Sequence, residues 1–244
     1  MAAGKGKRMK NPDMAKVMYT VNGRPMIEHV VELALALNSM RTIVIVGHQK
    51  EDVIEHVKRV SNGVEFAEQR EQLGTGHAVM QAEEPLRNFE GDVLVLSGDV
   101  PLLTLETMKQ LIDHHYRSSA VATILTADLD YPTGYGRIIR NSDGSVDRIV
   151  EEKDATPEEK KITEINSGIY LFNKAKLFEA LKHISPDNAQ GEYYLTDVFY
   201  YFSHHNMRIC AVKARNFDEV RGVNTVEQLE TAQEVFRKRQ QASA

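Results

Sequence analysis

Two short runs constrain the fold more than anything else in this chain: Arg41-Thr42-Ile43-Val44-Ile45-Val46-Gly47 and Asp92-Val93-Leu94-Val95-Leu96-Ser97-Gly98-Asp99. Both are aliphatic and continuous. A strand with one wet face alternates polar and apolar residues. A strand without that alternation is covered on both faces, as in parallel sheets. Ala120 to Leu125 is a third candidate. Helical stripes fall between these runs. After Pro25, which suits a first helical turn, Ile27, Val30, Val31, Ala34 and Leu37 follow the helical period. After Thr104, a candidate N-cap, Met108, Leu111, Ile112 and His115 do the same. This βαβα order predicts an α/β fold, a doubly wound, mostly parallel mixed sheet with right-handed crossovers.

The second half changes character. Gly136 to Arg140, the polar turn Asn141-Ser142-Asp143-Gly144, and Val146 to Val150 read as a β-hairpin. Ile165 to Phe172 reads as a further strand. Thr225-Val226-Glu227-Gln228 has the capping-box pattern, and Val226, Leu229, Ala232 and Phe236 continue it as a helical stripe. A chain of 244 residues suffices for one large domain or two small ones. The expectation is one domain over 1–244, with an α/β part over about 1–130, a β-rich part with the C-terminal helix over about 131–244, and a seam near residues 128 to 135.

A net charge of −5 argues against bulk electrostatic binding to nucleic acid, while a local basic site for a small anion stays open. The single cysteine, Cys210, excludes an intramolecular disulfide, and its apolar setting, Ile209 to Val212, points to a structural thiol. No apolar stretch approaches membrane-spanning length, and the N-terminus has no apolar core of the signal-peptide kind. The expected location is the cytoplasm.

Several segments could carry chemistry. Gly4-Lys5-Gly6-Lys7-Arg8 puts three cations within five residues, with Lys10 and Lys16 following. Glycines let backbone N–H groups approach phosphate oxygens, and cations neutralise them. The spacing fits neither the Walker A loop nor the dinucleotide fingerprint, so a phosphate loop and a plain basic terminus both remain. Gln69 to Ala78 flanks Thr75 with Gly74 and Gly76, which suits either a nucleotide-facing loop or a surface turn. Asp99 ends an apolar strand at the sheet edge where ligands bind in open α/β folds. A carboxylate there suits Mg²⁺, and it equally suits a turn or cap. On pattern alone, Tyr131 to Ile138 is a flexible or sugar-facing loop, and Glu151-Glu152-Lys153-Asp154 is a solvated charge run. No spacing of His and Cys matches zinc, and nothing resembles a nucleophilic triad.

Taken in order, MAAGKGKRM, Lys16, EQLGTGHA, GDVPL, PTGYGRI, VEEKDA, INSGIY, NAQGEYYLTD and GVNT resemble one family over nearly the whole chain. It is the sugar-nucleotide pyrophosphorylases of the Rossmann-like nucleotidyltransferase A fold. The nearest resemblance is to the uridylyltransferase domain of the bacterial bifunctional N-acetylglucosamine-1-phosphate uridylyltransferase/acetyltransferases. The resemblance implies a Mg²⁺-dependent transfer of UMP from UTP to N-acetylglucosamine 1-phosphate, giving UDP-N-acetylglucosamine and pyrophosphate. The same chemistry on another hexose or N-acetylhexosamine 1-phosphate is the near alternative. A non-catalytic nucleotide-sensing regulatory subunit is the distant one, against which the retention of Arg8, Lys16, Asp99 and Asn224 argues.

Residue by residue, the resemblance gives Ala2, Ala3, Gly4 and Gly6 to the UTP phosphates, and Arg8 and Lys16 to catalysis by charge. Gln69, Gly74 and Thr75 go to the uracil, and Asp99 and Asn224 to the metal. Gly136, Glu151 and Asn166 go to the sugar, with Tyr194 and Thr196 in its pocket wall. No nucleic-acid or membrane partner is implied, and the oligomeric state does not carry over. The sequence departs from the family pattern in four ways. Ala15 stands where a proline usually precedes the lysine, and Lys7 replaces a small polar residue. There are no hexapeptide repeats of a left-handed β-helix, so no acetyltransferase activity is expected. The usual strand leading into the first loop retains only Met1 to Ala3. If Met1 is the true start, that predicts a truncated central strand, reduced stability and a flexible phosphate loop.

Overall fold

The computed structural model describes residues 1–4, 6, 9, 11 and 13–242. In chain order its strands and α-helices are β1 (Thr20–Val21), β2 (Arg24–Pro25), α1 (Met26–Ala36), β3 (Thr42–Val46), α2 (Lys50–Val60), β4 (Val64–Glu68), α3 (Thr75–Met80), β5 (Asp92–Val95), α4 (Leu105–Ser118), β6 (Ala122–Asp128), β7 (Arg137–Arg140), β8 (Val146–Val150), β9 (Glu164–Asn173), α5 (Lys174–Leu181), α6 (Asp197–His204), β10 (Ile209–Lys213), α7 (Phe217–Val220) and α8 (Val226–Ala242).

The contacts divide the chain into two compact units: residues 1–72, 96–106 and 218–244, and residues 73–95 and 107–217. The expected seam at 128–135 falls inside the second unit. The change of composition there marks where the hairpin begins. The first unit instead takes back the C-terminal helix, and the second takes in residues 73–95.

In the first unit β3 and β4 pair in parallel, as the apolar run of β3 predicts. Ala2 bridges Val46 in parallel, its N–H donating to the Ile45 carbonyl at 2.8 Å. On the other side the Gly98 N–H donates to the Met1 carbonyl at 2.9 Å, so Met1 to Ala3 lie between β3 and the segment leading to Asp99. Ala2, Ala15, Val17, Ile27, Val31, Val44, Val46, Val53, Val57 and Val64 form the core around these strands. A second cluster joins Val21, Met26, Leu102, Val223 and Ala232, with Leu229, Val235 and Phe236 of α8 packed on it.

The second unit holds a mixed sheet in the order β10-β6-β9-β7-β8, with β5 also on β9. β10 and β6 are parallel, and the other pairs are antiparallel. The run Asp92–Val95 is therefore not a parallel strand: it pairs antiparallel with Tyr170–Asn173. Cover on both faces produces a continuous apolar run whatever the strand direction. β9 has β6 along one edge and β5 and β7 on the other. Its register against β6 shifts between Ile124 and Thr126. There the Ser167 hydroxyl donates to the Leu125 carbonyl at 2.6 Å, and Gly168 takes φ +78°. Asn-Ser-Gly in mid-strand is thus a bulge, and it re-aims Asn166. Tyr170, Phe172, Phe199 and Phe202 pack in tilted and edge-on pairs, 5.4 to 6.3 Å between centroids, in the core of this unit.

Candidate functional site

In the first unit, three expected residues from distant parts of the chain meet. Lys16 lies in a 3₁₀ turn (Lys16–Met18) just after the N-terminal loop. Its ammonium forms an ion pair with Asp99, and it donates to Asn224 Oδ1 at 2.9 Å. The Lys16 and Asp99 side chains are only 16% and 19% exposed, so this charge pair is partly withdrawn from water. The backbone fixes both accepting oxygens. Asp99 follows the strand segment pinned to Met1, and its carbonyl accepts from the Val223 N–H at 2.9 Å, one residue before Asn224. The N–H groups of Asn224 and Thr225 both donate to Gln228 Oε1, at 2.7 and 3.1 Å.

Gly6 of the N-terminal segment lies against the same lysine. Gly6 has φ +58°, and a Cβ built there would sit 2.7 Å from Lys16 Cβ, so only glycine fits. Ala2 and Ala3 are buried and Gly4 is exposed. Lys5, Lys7, Arg8 and Lys10, with Arg8 an expected catalytic cation, lie outside the described residues. Gln69 is 3% exposed, and its N–H donates to the Val46 carbonyl at 2.8 Å. Its carbonyl would be 3.0 Å from a Cβ at Gly47, as would that of Ala3, so Gln69 and Ala3 flank one glycine.

The second unit carries the other expected residues. Gly74 has φ +113°, and a Cβ there would meet the Tyr193 carbonyl oxygen at 2.5 Å. The Thr75 hydroxyl accepts from the Leu195 N–H at 3.0 Å, and the Gly76 N–H donates to the Tyr193 carbonyl at 2.8 Å. The expected base-contacting pair is thus built onto the 193–195 segment. Nearby in the chain, the Thr196 hydroxyl donates to Glu151 Oε1 at 2.9 Å, and the Tyr194 hydroxyl donates to Asp154 Oδ2 at 3.2 Å. A Cβ on Gly136 would touch Ile149 Cγ2 at 3.2 Å, and Asn166 Cβ and Glu151 Oε2 at 3.4 Å. The Asn166 N–H donates to the Gly136 carbonyl at 2.9 Å, and its side-chain amide donates to the Tyr170 hydroxyl at 2.7 Å. Gly136, Glu151, Asn166 and Thr196 therefore form one group, with Tyr194 attached through Asp154.

This group holds acids away from their ordinary state. Burial pushes the Glu151 carboxyl up, against the hydrogen bond from Thr196, and Asp197, Asp154 and Glu192 push the same way. Burial, with Asp154 nearby, raises Asp197 to about 6. Burial also raises the Tyr194 phenol to about 12. The reading of Glu151 to Asp154 as a solvated charge run fits Lys153 and Asp154, which are exposed, and not Glu151. Pattern reading missed Asp154, Tyr170 and Asp197, all three inside motifs already noted. Only the fold shows which of their neighbours they hold.

Residues 1–220 match the nucleotidyl transferase family. The chain belongs to that family. Among its curated relatives, the bifunctional protein GlmU of Streptococcus suis is 53% identical over 239 residues, and that of Streptococcus gordonii 50%. Each alignment covers 98% of this chain and 51% of the relative, so the chain spans about half the length of these proteins. Solved structures agree on the nucleotidyl transferase fold. A UDP-glucose pyrophosphorylase complexed with UDP-glucose superposes with TM-score 0.76 at 18% identity, covering 98% of this chain and 97% of that one. An apo UDP-glucose pyrophosphorylase gives 0.77 at 19% over the same shares. Among the described residues, no helix is long and apolar enough to cross a membrane.

Proposed function

We propose that this chain transfers UMP from UTP to N-acetylglucosamine 1-phosphate, releasing pyrophosphate and forming UDP-N-acetylglucosamine. The observation that carries the reading is the convergence of Lys16, Asp99 and Asn224 beside Gly6. It is joined by the relatives' identity of about half over nearly the whole chain.

The chemistry asks for charge and position rather than a nucleophile. An oxygen of the sugar phosphate, anionic near neutral pH, attacks the α-phosphorus of UTP in line. The bond to the bridging oxygen breaks, and pyrophosphate leaves with its electron pair. No general base is required. Lys16 offers a positive charge for the phosphates, held in place by Asp99 and Asn224. Gly4 and Gly6 leave backbone N–H groups room to approach phosphate oxygens, and Arg8 adds a second cation. Gln69, Gly74 and Thr75 are the candidates for the uracil. Gly136, Glu151, Asn166, Tyr194 and Thr196 are those for the sugar.

Asp99 and Asn224 direct one anionic and one neutral oxygen at a single ammonium group. Two such hard donors suit Mg²⁺, which takes one or two protein oxygens and completes its shell with water and phosphate. Bound there, the ion supplies neutralisation of the charge on the two phosphate-bearing substrates. A cytoplasmic site of action is part of the same reading.

The test is a grid of nucleoside triphosphates against sugar 1-phosphates with Mg²⁺, followed by pyrophosphate release. Release is expected with UTP and an N-acetylhexosamine 1-phosphate. Best release with glucose 1-phosphate would move the reading to the near alternative. Silence across the grid with nucleotide binding intact would make the chain a sensor.

A further inference from the structure

We infer that Arg137 is a positioning residue that holds the sugar-binding group in place through Glu152. The inference rests on the assignment of Gly136, Glu151 and Asn166 to the sugar. Arg137 is 2% exposed and is among the largest fully buried side chains. A buried arginine at the start of β7 has no packing advantage over an aliphatic residue, and burying its charge is costly unless it is paired. Its register places it between Val150 of β8 and Ile165 of β9. One guanidinium nitrogen, Nη1, donates to the Tyr135 carbonyl. The other, Nη2, forms an ion pair with Glu152 Oε2 at 2.7 Å, without hydrogen-bond geometry. The third, Nε, has no partner among the described residues.

Each contact lies next to a residue of the sugar group. Tyr135 precedes Gly136, whose carbonyl holds the Asn166 N–H. Glu152 follows Glu151, whose carbonyl in turn accepts from the N–H groups of Asp154 and Ala155, both at 3.0 Å. One buried cation thus ties together the two segments that deliver Gly136 and Glu151. If the 151–155 turn moves, the guanidinium loses its carboxylate and is left as a buried, unbalanced charge. That penalty keeps the turn in place. A planar guanidinium can serve a carbonyl and a carboxylate at once. A lysine ammonium can also serve two acceptors, but as a point charge it lacks the two separated, coplanar nitrogens that reach both from one strand position.

The experiment measures KM for UTP and for N-acetylglucosamine 1-phosphate separately in Arg137→Lys, Arg137→Met and Glu152→Gln. Hydrogen exchange of peptides covering 135–136 and 151–155 is followed in parallel. The sugar phosphate KM should rise about tenfold or more, since a shift of about 1 Å in a positioned substrate costs on the order of a hundredfold in rate. The UTP KM should stay near wild type, and exchange should accelerate in both peptides. The double variant Arg137→Met/Glu152→Gln should be no worse than the worse single one. If Arg137→Met does not fold, the near-isosteric Glu152→Gln and the lysine variant carry the test. Unchanged sugar KM, or equal loss for both substrates, overturns the role while leaving the function standing. A wild-type protein silent with every sugar 1-phosphate overturns the function and the role with it.

Discussion

Lys16 lies 83 residues before Asp99 and 208 before Asn224, yet one ammonium touches both. Each was a candidate from its own motif, and nothing in their spacing says that they meet. A carboxylate at a strand end and an asparagine before a helix are ordinary residues until the chain returns. Asp99→Asn keeps the shape of the side chain and removes its charge. If the proposed reaction is right, turnover should fall by about 10²–10³, the range for losing one electrostatic group at a transition state. The circular dichroism spectrum should not change, and near-normal turnover would remove Asp99 from the metal site. Asp197 gives a pH prediction. Its folded pKa of about 6 lies above its ordinary value of 3.8, so the folded state holds the proton more tightly than the unfolded one. The ionised form therefore costs stability fully above about pH 6, and the cost fades as pH falls toward 3.8. Asp197→Asn should gain in melting temperature relative to wild type between pH 5 and pH 7.5. A difference that is flat with pH would mean that burial does not strain this carboxyl.

At the scale of elements, local chemistry was legible and partner-dependent chemistry was not. The hairpin of β7 and β8 follows from its polar, Gly-bearing turn, where Gly144 takes φ +84°. The helix α1 follows from its apolar period and Pro25 at its start. The bulge in β9 escaped because it depends on where Leu125 of the neighbouring strand lies. The antiparallel setting of β5 escaped because a run covered on both faces carries no sign of direction. The capping box of α8 is the clearest success. The Gln228 N–H donates to the Thr225 hydroxyl at 3.3 Å, and Gln228 Oε1 returns to the Thr225 N–H. Thr225→Ala should cost about 1 kcal/mol, read as a shift of the urea midpoint at constant slope. Gln228 also holds the Asn224 N–H, so Gln228→Ala should in addition raise the Mg²⁺ concentration needed for half-maximal activity. A stability loss with an unchanged Mg²⁺ requirement would show that Asn224 is held without it.

For the whole molecule, order along the chain is a poor guide to what packs with what. The expected boundary at 128–135 followed a change in composition, whereas the first unit is assembled from three separate stretches of chain. The last of them is not an appendage. Ala232 of α8 is fully buried, and Leu229, Val235 and Phe236 pack against Val21, Met26, Leu102 and Val223, which are 0 to 2% exposed. Exposing side chains of this size costs roughly 1.5–3 kcal/mol each. Three or four of them would consume much of the roughly 5–15 kcal/mol that keeps a domain folded. Residues Gln240 to Ala242 are exposed, and Arg239 donates to the Leu102 carbonyl at 2.6 Å. Deletion from Gln240 onward should therefore leave melting temperature and turnover near wild type. Deletion from Thr225 onward keeps Asp99, Lys16 and Asn224 and removes the helix over the cluster. It should give a protein that is aggregated or melts far lower, and whose pyrophosphate release is lost. Two deletions with the same melting temperature would mean that α8 contributes no stability to its unit, against the packing of its apolar stripe.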